Sequence, residues 1–267
     1  MLNDITLGQY FPGNSPLHKM DPRIKILLTV LFVVSLFLVS DPLFLIAPVI
    51  FIGILYLIAR IPVRFLLKSL KPLIPILIFT TVLNLFFLPG DVTLFSFWVI
   101  QISDKGLLNA ILVLIRIVCL IAGSSLLTYT TSPIALTDGI ERLLSPLGKL
   151  KFPVHDLAMM MSIALRFIPT LIEETEKIMS AQKARGADME TGSLVQRAKA
   201  LVPILIPLLV SAFRRAEELA LAMECRCYRG GEGRTRMKQL KLHLRDLWGS
   251  LITVILCGGM IALGFLL

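Results

Sequence analysis

The sequence predicts an all-α polytopic membrane protein with about five transmembrane helices and a cytoplasmic module of long helices. Three observations carry that expectation. Of 267 residues 56% are hydrophobic and only 17% charged, with a mean hydropathy of +0.82, whereas soluble domains are about 45–50% apolar and about 25% charged. The apolar residues gather into uncharged runs as long as a bilayer is thick. The 27 Lys and Arg, which exceed the 18 Asp and Glu and give a net charge of +9, fall between those runs almost entirely on one side. A soluble enzyme is excluded, and the abundance of Leu, Ile, Val and Phe excludes a disordered chain.

Met1 to Pro22 is polar and punctuated by Pro12, Pro16 and Pro22. It does not read as a signal peptide, so the N-terminus is expected to be retained. Spans are then expected at 24–39, 43–59, 72–88, 106–129 and 247–267, each 16 to 24 residues long. A helix rising about 1.5 Å per residue needs about that length to cross a core of about 30 Å. Two shorter runs compete. Run 157–172 contains Arg166 and Pro169, and run 201–213 contains Pro203 and Pro207, so both are read as helices lying in or below the interface. With the N-terminus inside, segments 1–25, 60–71 and 130–246 hold 25 of the 27 basic residues, and the outside loops hold only Lys105. That asymmetry is the positive-inside pattern. It accounts for the basic charge through topology and anionic lipid, without nucleic acid. The expected organisation is a four-span membrane region at 1–132, a cytoplasmic helical module at 133–246 and a C-terminal transmembrane helix at 247–267.

Within the module, Ser132-Pro133 starts a short amphipathic helix reaching Leu144, and 146–153 is a turn. Long helices are then expected from about Val154 to Arg185 and from about Ser193 to Arg226. Their ends repeat. A shift of 41 residues lays Glu176-Lys177-Ile178, Ala181 and Ala184-Arg185-Gly186 on Glu217-Glu218-Leu219, Ala222 and Cys225-Arg226-Cys227. Gly186 is suited to the left-handed conformation that stops a helix, with Asp188 and Glu190 in the exposed turn beyond. One Arg near a helix C-terminus complements the helix dipole. Two equivalent ones on a single cytoplasmic module suggest two equivalent soluble partners, because Arg pairs bidentately with carboxylates at interfaces.

These residues resemble the T component, the transmembrane energy-coupling subunit of energy-coupling factor (ECF) ABC-type transporters, over about 8–250. Pro12-Gly13-x-Ser15-x-Leu17-His18-x-Met20-Asp21-Pro22-Arg23-x-Lys25 is similar to that family's N-terminal motif. Arg166-Phe167-Ile168-Pro169 and Gln182-Lys183-Ala184-Arg185-Gly186-Ala187 are similar to its first coupling-helix signature, and Met223-Glu224-x-Arg226-x-Tyr228-Arg229-Gly230-Gly231 to its second. The resemblance implies a bacterial plasma-membrane uptake machine for vitamins or other micronutrients. Its other parts would be two ATP-binding-cassette ATPases and one or more membrane S components that capture substrate. It implies no enzymatic activity and no cofactor in this chain, ATP being bound by the partners. Ala184, Arg185 and Gly186, with Cys225, Arg226 and Cys227, would dock the ATPases. Cys225-Arg226-Cys227 departs from the family's Ala-Arg-Gly, so helix termination there is expected at Gly230 and Gly231.

Leu157, Met160, Met161, Ala164 and Ile168 form an apolar face for the spans or the S component, methionine being adaptable at surfaces that repack. Arg166 belongs with them as a contact residue. Arg116 lies inside a span, where a charge needs a polar partner. Asn84 is the residue suggested for it, and an S-component contact is the other reading.

Other motifs carry less. Gly230-Gly231-Glu232-Gly233-Arg234-Thr235 lacks the lysine and spacing of a phosphate loop. Cys225-x-Cys227 has no nearby Cys/His pair, His155 and His243 being isolated, so no metal is expected. Glu173-Glu174-x-Glu176 reads as a solvated helix face, with Glu173 spaced to pair with Lys177. A membrane enzyme would need clustered Asp, His or metal ligands, and a self-sufficient permease would need more intramembrane polar groups.

Overall fold

The computed structural model describes residues 10–39, 42–87, 93–97, 100–150, 152–187, 193–230, 240 and 242–266. The protein is an all-α polytopic membrane protein, with one antiparallel strand pair among the described residues. Its helices are α1 (Pro22–Leu38), α2 (Ile46–Ala59), α3 (Val63–Leu70), α4 (Ile74–Phe87), α5 (Asp104–Thr130), α6 (Pro133–Leu144), α7 (Val154–Ala184), α8 (Leu194–Cys225) and α9 (Leu244–Leu266). The chain divides into two compact units: 8–139 with 239–267, and 140–238.

In the first unit α1 begins where Asp21 caps it and Pro22 supplies a fixed φ without needing a donor. The helix packs on α5 and α9, and α2 packs on α5. Phe32, Leu36, Ile52, Leu126 and Cys257 lie in the buried cluster between them. Tyr129 is fully buried and donates its hydroxyl to the Phe65 carbonyl at 3.0 Å, fastening the end of α5 to α3.

The N-terminal motif is the joint of this unit. Arg23 donates from Nε to Asp21 Oδ1 at 3.1 Å and from Nη2 to Oδ2 at 2.8 Å. Asp246, buried at the start of α9, accepts from the Asp21 N–H at 3.1 Å and from the His243 N–H at 2.8 Å. Lys25 donates to the Thr130 carbonyl at 2.9 Å, to Thr131 Oγ1 at 3.2 Å and to the His18 carbonyl at 3.4 Å. It places a cation at the carbonyl end of α5, where the dipole favours one. His18 bridges Ser15 Oγ (2.7 Å) and the Phe11 carbonyl (3.0 Å). Its ring lies over Gly13, where a Cβ would stand only 2.7 Å from it.

Several sequence expectations change here. Among the described residues four helical stretches of 18 residues or more are apolar enough to cross a membrane: Val63–Phe86, Gly106–Thr130, Val154–Ala184 and Leu244–Ala262. The run at 24–39 becomes α1, of 17 residues, and the run at 43–59 becomes a 3-10 turn, Pro42–Leu45, leading directly into the 14 residues of α2. At about 1.5 Å per residue α1 reaches about 26 Å, and the 3-10 turn with α2 about 29 Å, within the range of spanning helices. The inside segment 60–71 contains a helix, Val63–Leu70, which continues into α4 through the 3-10 turn Lys71–Leu73. α7 qualifies by length and composition although its run was placed in or below the interface, because the helix continues through Pro169. The outside loop at 89–105 contains antiparallel strands Thr93–Phe97 and Ile100–Ser103. Alternating apolar residues there favour a strand over the short range, which an averaged hydropathy reading misses.

In the second unit α7 packs on α8. His155 Nδ1 lies 3.2 Å from Glu141 Oε1 and links the start of α7 to the end of α6.

Candidate functional site

The candidate site is the pair of arginine-tipped helices, α7 and α8. α8 starts with a full capping box, in which Ser193 accepts from the Gln196 N–H while the Gln196 side chain accepts from the Ser193 N–H at 2.9 Å. Three prolines lie inside the pair, Pro169 in α7 and Pro203 and Pro207 in α8. Proline has no N–H, so Pro207 deprives the Pro203 carbonyl of its helical donor four residues on. Gln182 of α7 reaches that carbonyl with Nε2 at 3.5 Å.

A second polar junction lies farther along. Glu174 accepts from Ser211 Oγ at 2.5 Å through Oε1, and from Arg215 Nη2 at 2.7 Å and Nε at 3.2 Å through Oε2. Residue 182 meets 203, and 174 meets 211 and 215, so the helices run antiparallel and their C-terminal ends point opposite ways. Both arginines lie 11 residues beyond the junction, Arg185 past Glu174 and Arg226 past Arg215. Each arm is therefore about 16 Å long. Glu174, expected on a solvated face, instead binds the neighbouring helix. Sequence alone did not pair it with Arg215, although the two share the 41-residue interval.

The two tips have the same backbone. Arg185 (φ −84°, ψ 6°) and Arg226 (φ −94°, ψ 13°) are the C-caps. Next come Gly186 at φ 83° and Cys227 at φ 54°, both left-handed. The Ala187 N–H donates to the Gln182 carbonyl and the Gly186 N–H to the Lys183 carbonyl, both at 3.0 Å. At the second tip the Tyr228 N–H donates to the Met223 carbonyl at 3.0 Å and the Cys227 N–H to the Glu224 carbonyl at 2.8 Å. Each is a Schellman termination. This corrects the expectation that α8 stops at Gly230 and Gly231. Cys227 takes the left-handed position itself, at a cost of about 1–2 kcal/mol for an L-residue. Gly230 is left-handed too, at φ 85°, but beyond the helix. The expected turn at Asp188 and Glu190, and residues 231–233, lie outside the described residues.

Ala184, Arg185, Gly186, Cys225, Arg226 and Cys227 are all exposed. The two thiols are free, and among the described residues no group of three or more His, Cys, Asp or Glu is placed to hold a metal. Met160 and Met161 are exposed on α7, and Arg166 is exposed as well. α8 adds an apolar face in the run that the sequence placed in or below the interface: Val202, Leu205, Ile206, Leu209, Val210 and Phe213 are all exposed. Their spacing of three and four residues was the available signal. Arg116 belongs elsewhere. Its Nη2 donates to the Val39 carbonyl at the C-cap of α1, while Asn84, the suggested partner, donates to the Thr80 carbonyl at 2.8 Å. Arg116 is thus an interhelix contact.

Comparison with known proteins places this geometry in context. The family profile described as cobalt transport protein, CbiQ, matches residues 13–237. The chain is 54% identical over 257 residues to a protein of Clostridium kluyveri named energy-coupling factor transporter transmembrane protein EcfT, covering 96% of this chain and 95% of that one. Proteins of the same name from Thermosediminibacter oceani and Lactococcus lactis are 51% identical over 265 residues and 47% identical over 245 residues. They cover 99% and 92% of this chain, and 100% and 92% of their own lengths.

Proposed function

The chain belongs to the CbiQ family of cobalt transport proteins, and from that we propose that it is the transmembrane coupling component of an ECF-type importer. In this reading it performs no chemistry. It stands in the bacterial plasma membrane with its N-terminus in the cytoplasm and carries motion from two ATPases to a membrane S component that holds a vitamin or other micronutrient. Regions 1–132 and 247–267 anchor it, and 133–246 is the coupling module. No cofactor is needed.

The observation that carries this reading is the duplicated tip. Two helices end in the same Schellman geometry, with the same Arg at the C-cap, on opposite ends of one antiparallel pair. Two like soluble partners could each take one tip. ATP binding that draws the partners together would then turn the helices about the Glu174–Arg215 junction. The exposed apolar faces of α7 and α8, including Met160 and Met161, would carry that turn to the S component.

Affinity purification of the tagged chain from native membranes, beside Arg185→Glu/Arg226→Glu, tests the reading. The wild type should bring down two ATPases and at least one small membrane protein. The double variant should lose the ATPases, each reversal removing an anchor worth about 2 kcal/mol or more. ATPases retained by the double variant would overturn the docking assignment.

A further inference from the structure

The first unit contains a cavity of about 510 Å³ that the coupling role does not use. It lies among α1, α2, α5 and α9, with the N-terminal segment beneath it. α1 packs on α5 and α9 and α2 on α5, whereas α2 and α9 share no extended packing. The cavity is the resulting gap. Its opening is flanked by exposed Ile54 and Ile58 on α2 and exposed Trp248 and Ile252 on α9. The volume is in the range of about 300–1,000 Å³ typical of small-ligand sites.

Its depth is informative. The innermost lining residues are Phe32 on α1, Phe51 on α2, Gly123 on α5 and Thr253 on α9. Each is seven to ten residues from the helix end that carries the basic N-terminal and C-terminal flanks. At about 1.5 Å per residue that is about 10–15 Å, one leaflet of a core of about 30 Å. The lining is apolar apart from the hydroxyls of Thr29, Thr130 and Thr253, and its two charged members, Lys25 and Arg245, stand at the end nearest the helix termini. Lys25 spends its three donors on Thr130, Thr131 and His18. Arg245 is exposed and makes no hydrogen bond or ion pair among the described residues. Trp248, one turn further, has the side chain that favours the membrane interface.

We propose that this gap binds one anionic phospholipid of the cytoplasmic leaflet, with an acyl chain between α2 and α9 and its phosphate on Arg245. A one-leaflet apolar slot with a single uncommitted cation at its mouth matches the two ends of such a lipid, and that leaflet is the one rich in anionic headgroups. The proposal uses the cytoplasmic placement of the N-terminus but not the ATPase docking. It can therefore fail while the coupling reading stands.

Native mass spectrometry of the full chain, extracted from membranes containing phosphatidylglycerol and phosphatidylethanolamine, is the test. The wild type should retain one phosphatidylglycerol. Arg245→Gln should lower its retention at least fivefold without changing the trace of phosphatidylethanolamine, and Leu28→Trp, which fills the slot, should lose both. If Leu28→Trp does not fold, Ile252→Trp at the opening should give the same loss. A wild type free of lipid, or equal retention by Arg245→Gln and the filled variants, overturns the proposal. So does loss of the lipid when a small membrane partner binds and cross-links to Ile252→Cys, which would assign the gap to protein.

Discussion

Glu174 and Arg215 meet at 2.7 Å across an interval of 41 residues, the same interval that separates Arg185 from Arg226. The ion pair therefore stands at equivalent points of two repeated helices, and the arms beyond it are equal in length.

Loss of that junction should uncouple transport before it prevents assembly. Arg215→Ala, which strips Glu174 of its cation, is expected to leave the ATPases bound while substrate uptake in proteoliposomes falls several-fold. The exchange Glu174→Arg/Arg215→Glu should recover part of the uptake. Pull-down and uptake on the same preparations separate the two effects, and parallel loss of both would count against a pivot.

The left-handed cysteine makes a stability prediction. Cys227→Gly should stabilise the end of α8 by about 1 kcal/mol, because glycine adopts that conformation without the Cβ clash. Gly186→Ala should cost the end of α7 about 1 kcal/mol for the converse reason. Thermal unfolding of the two variants beside the wild type measures both signs.

The thiols provide a footprint. Cys225 and Cys227 are exposed, and Cys119 and Cys257 buried, so a polar maleimide should modify two cysteines of the folded chain and all four after denaturation. Bound ATPases should protect the reactive pair. Unchanged labelling in the assembled complex would place the partners elsewhere.

Acid should loosen the joint at α1. Burial alone would raise the Asp21 carboxyl, but the hydrogen bonds and charge of Arg23 outweigh it and hold the group below its ordinary value of 3.8. A depressed carboxyl contributes stability that is fully present above its unfolded value and is lost as pH falls through the folded one. The difference in unfolding temperature between wild type and Arg23→Gln should thus be steady from pH 8 to about 5 and close below about 4. A difference that widens in acid would refute the assignment.

Much of this was legible in the sequence, for particular reasons. The starts of α6 and α8 follow from caps at Ser132 and Ser193, and the ends of α7 and α8 from the Arg tips, all of which act locally. The 41-residue repeat is visible because it is a repeat. Partnerships between distant residues were not legible: nothing near Glu174 announces Arg215, and Arg116 found a backbone carbonyl, which sequence does not advertise. Cys227 was misread because residue preference for a left-handed cap is a tendency that the surrounding hydrogen bonds override.

The hydrogen bond from the Asp21 N–H to Asp246 joins residues 225 apart in the chain. During synthesis α1 emerges with Asp246, the partner of its N-cap residue, still untranslated. At about 5–20 residues per second it waits roughly 10–45 s for that carboxylate. Until then the Asp21 amide stands without the acceptor that the finished protein gives it. A nascent chain stalled before α9 is therefore expected to be cut at the N-terminal segment more readily than the complete one, which limited proteolysis of the truncated product can measure. The joint therefore closes only after the start of α9 has been made.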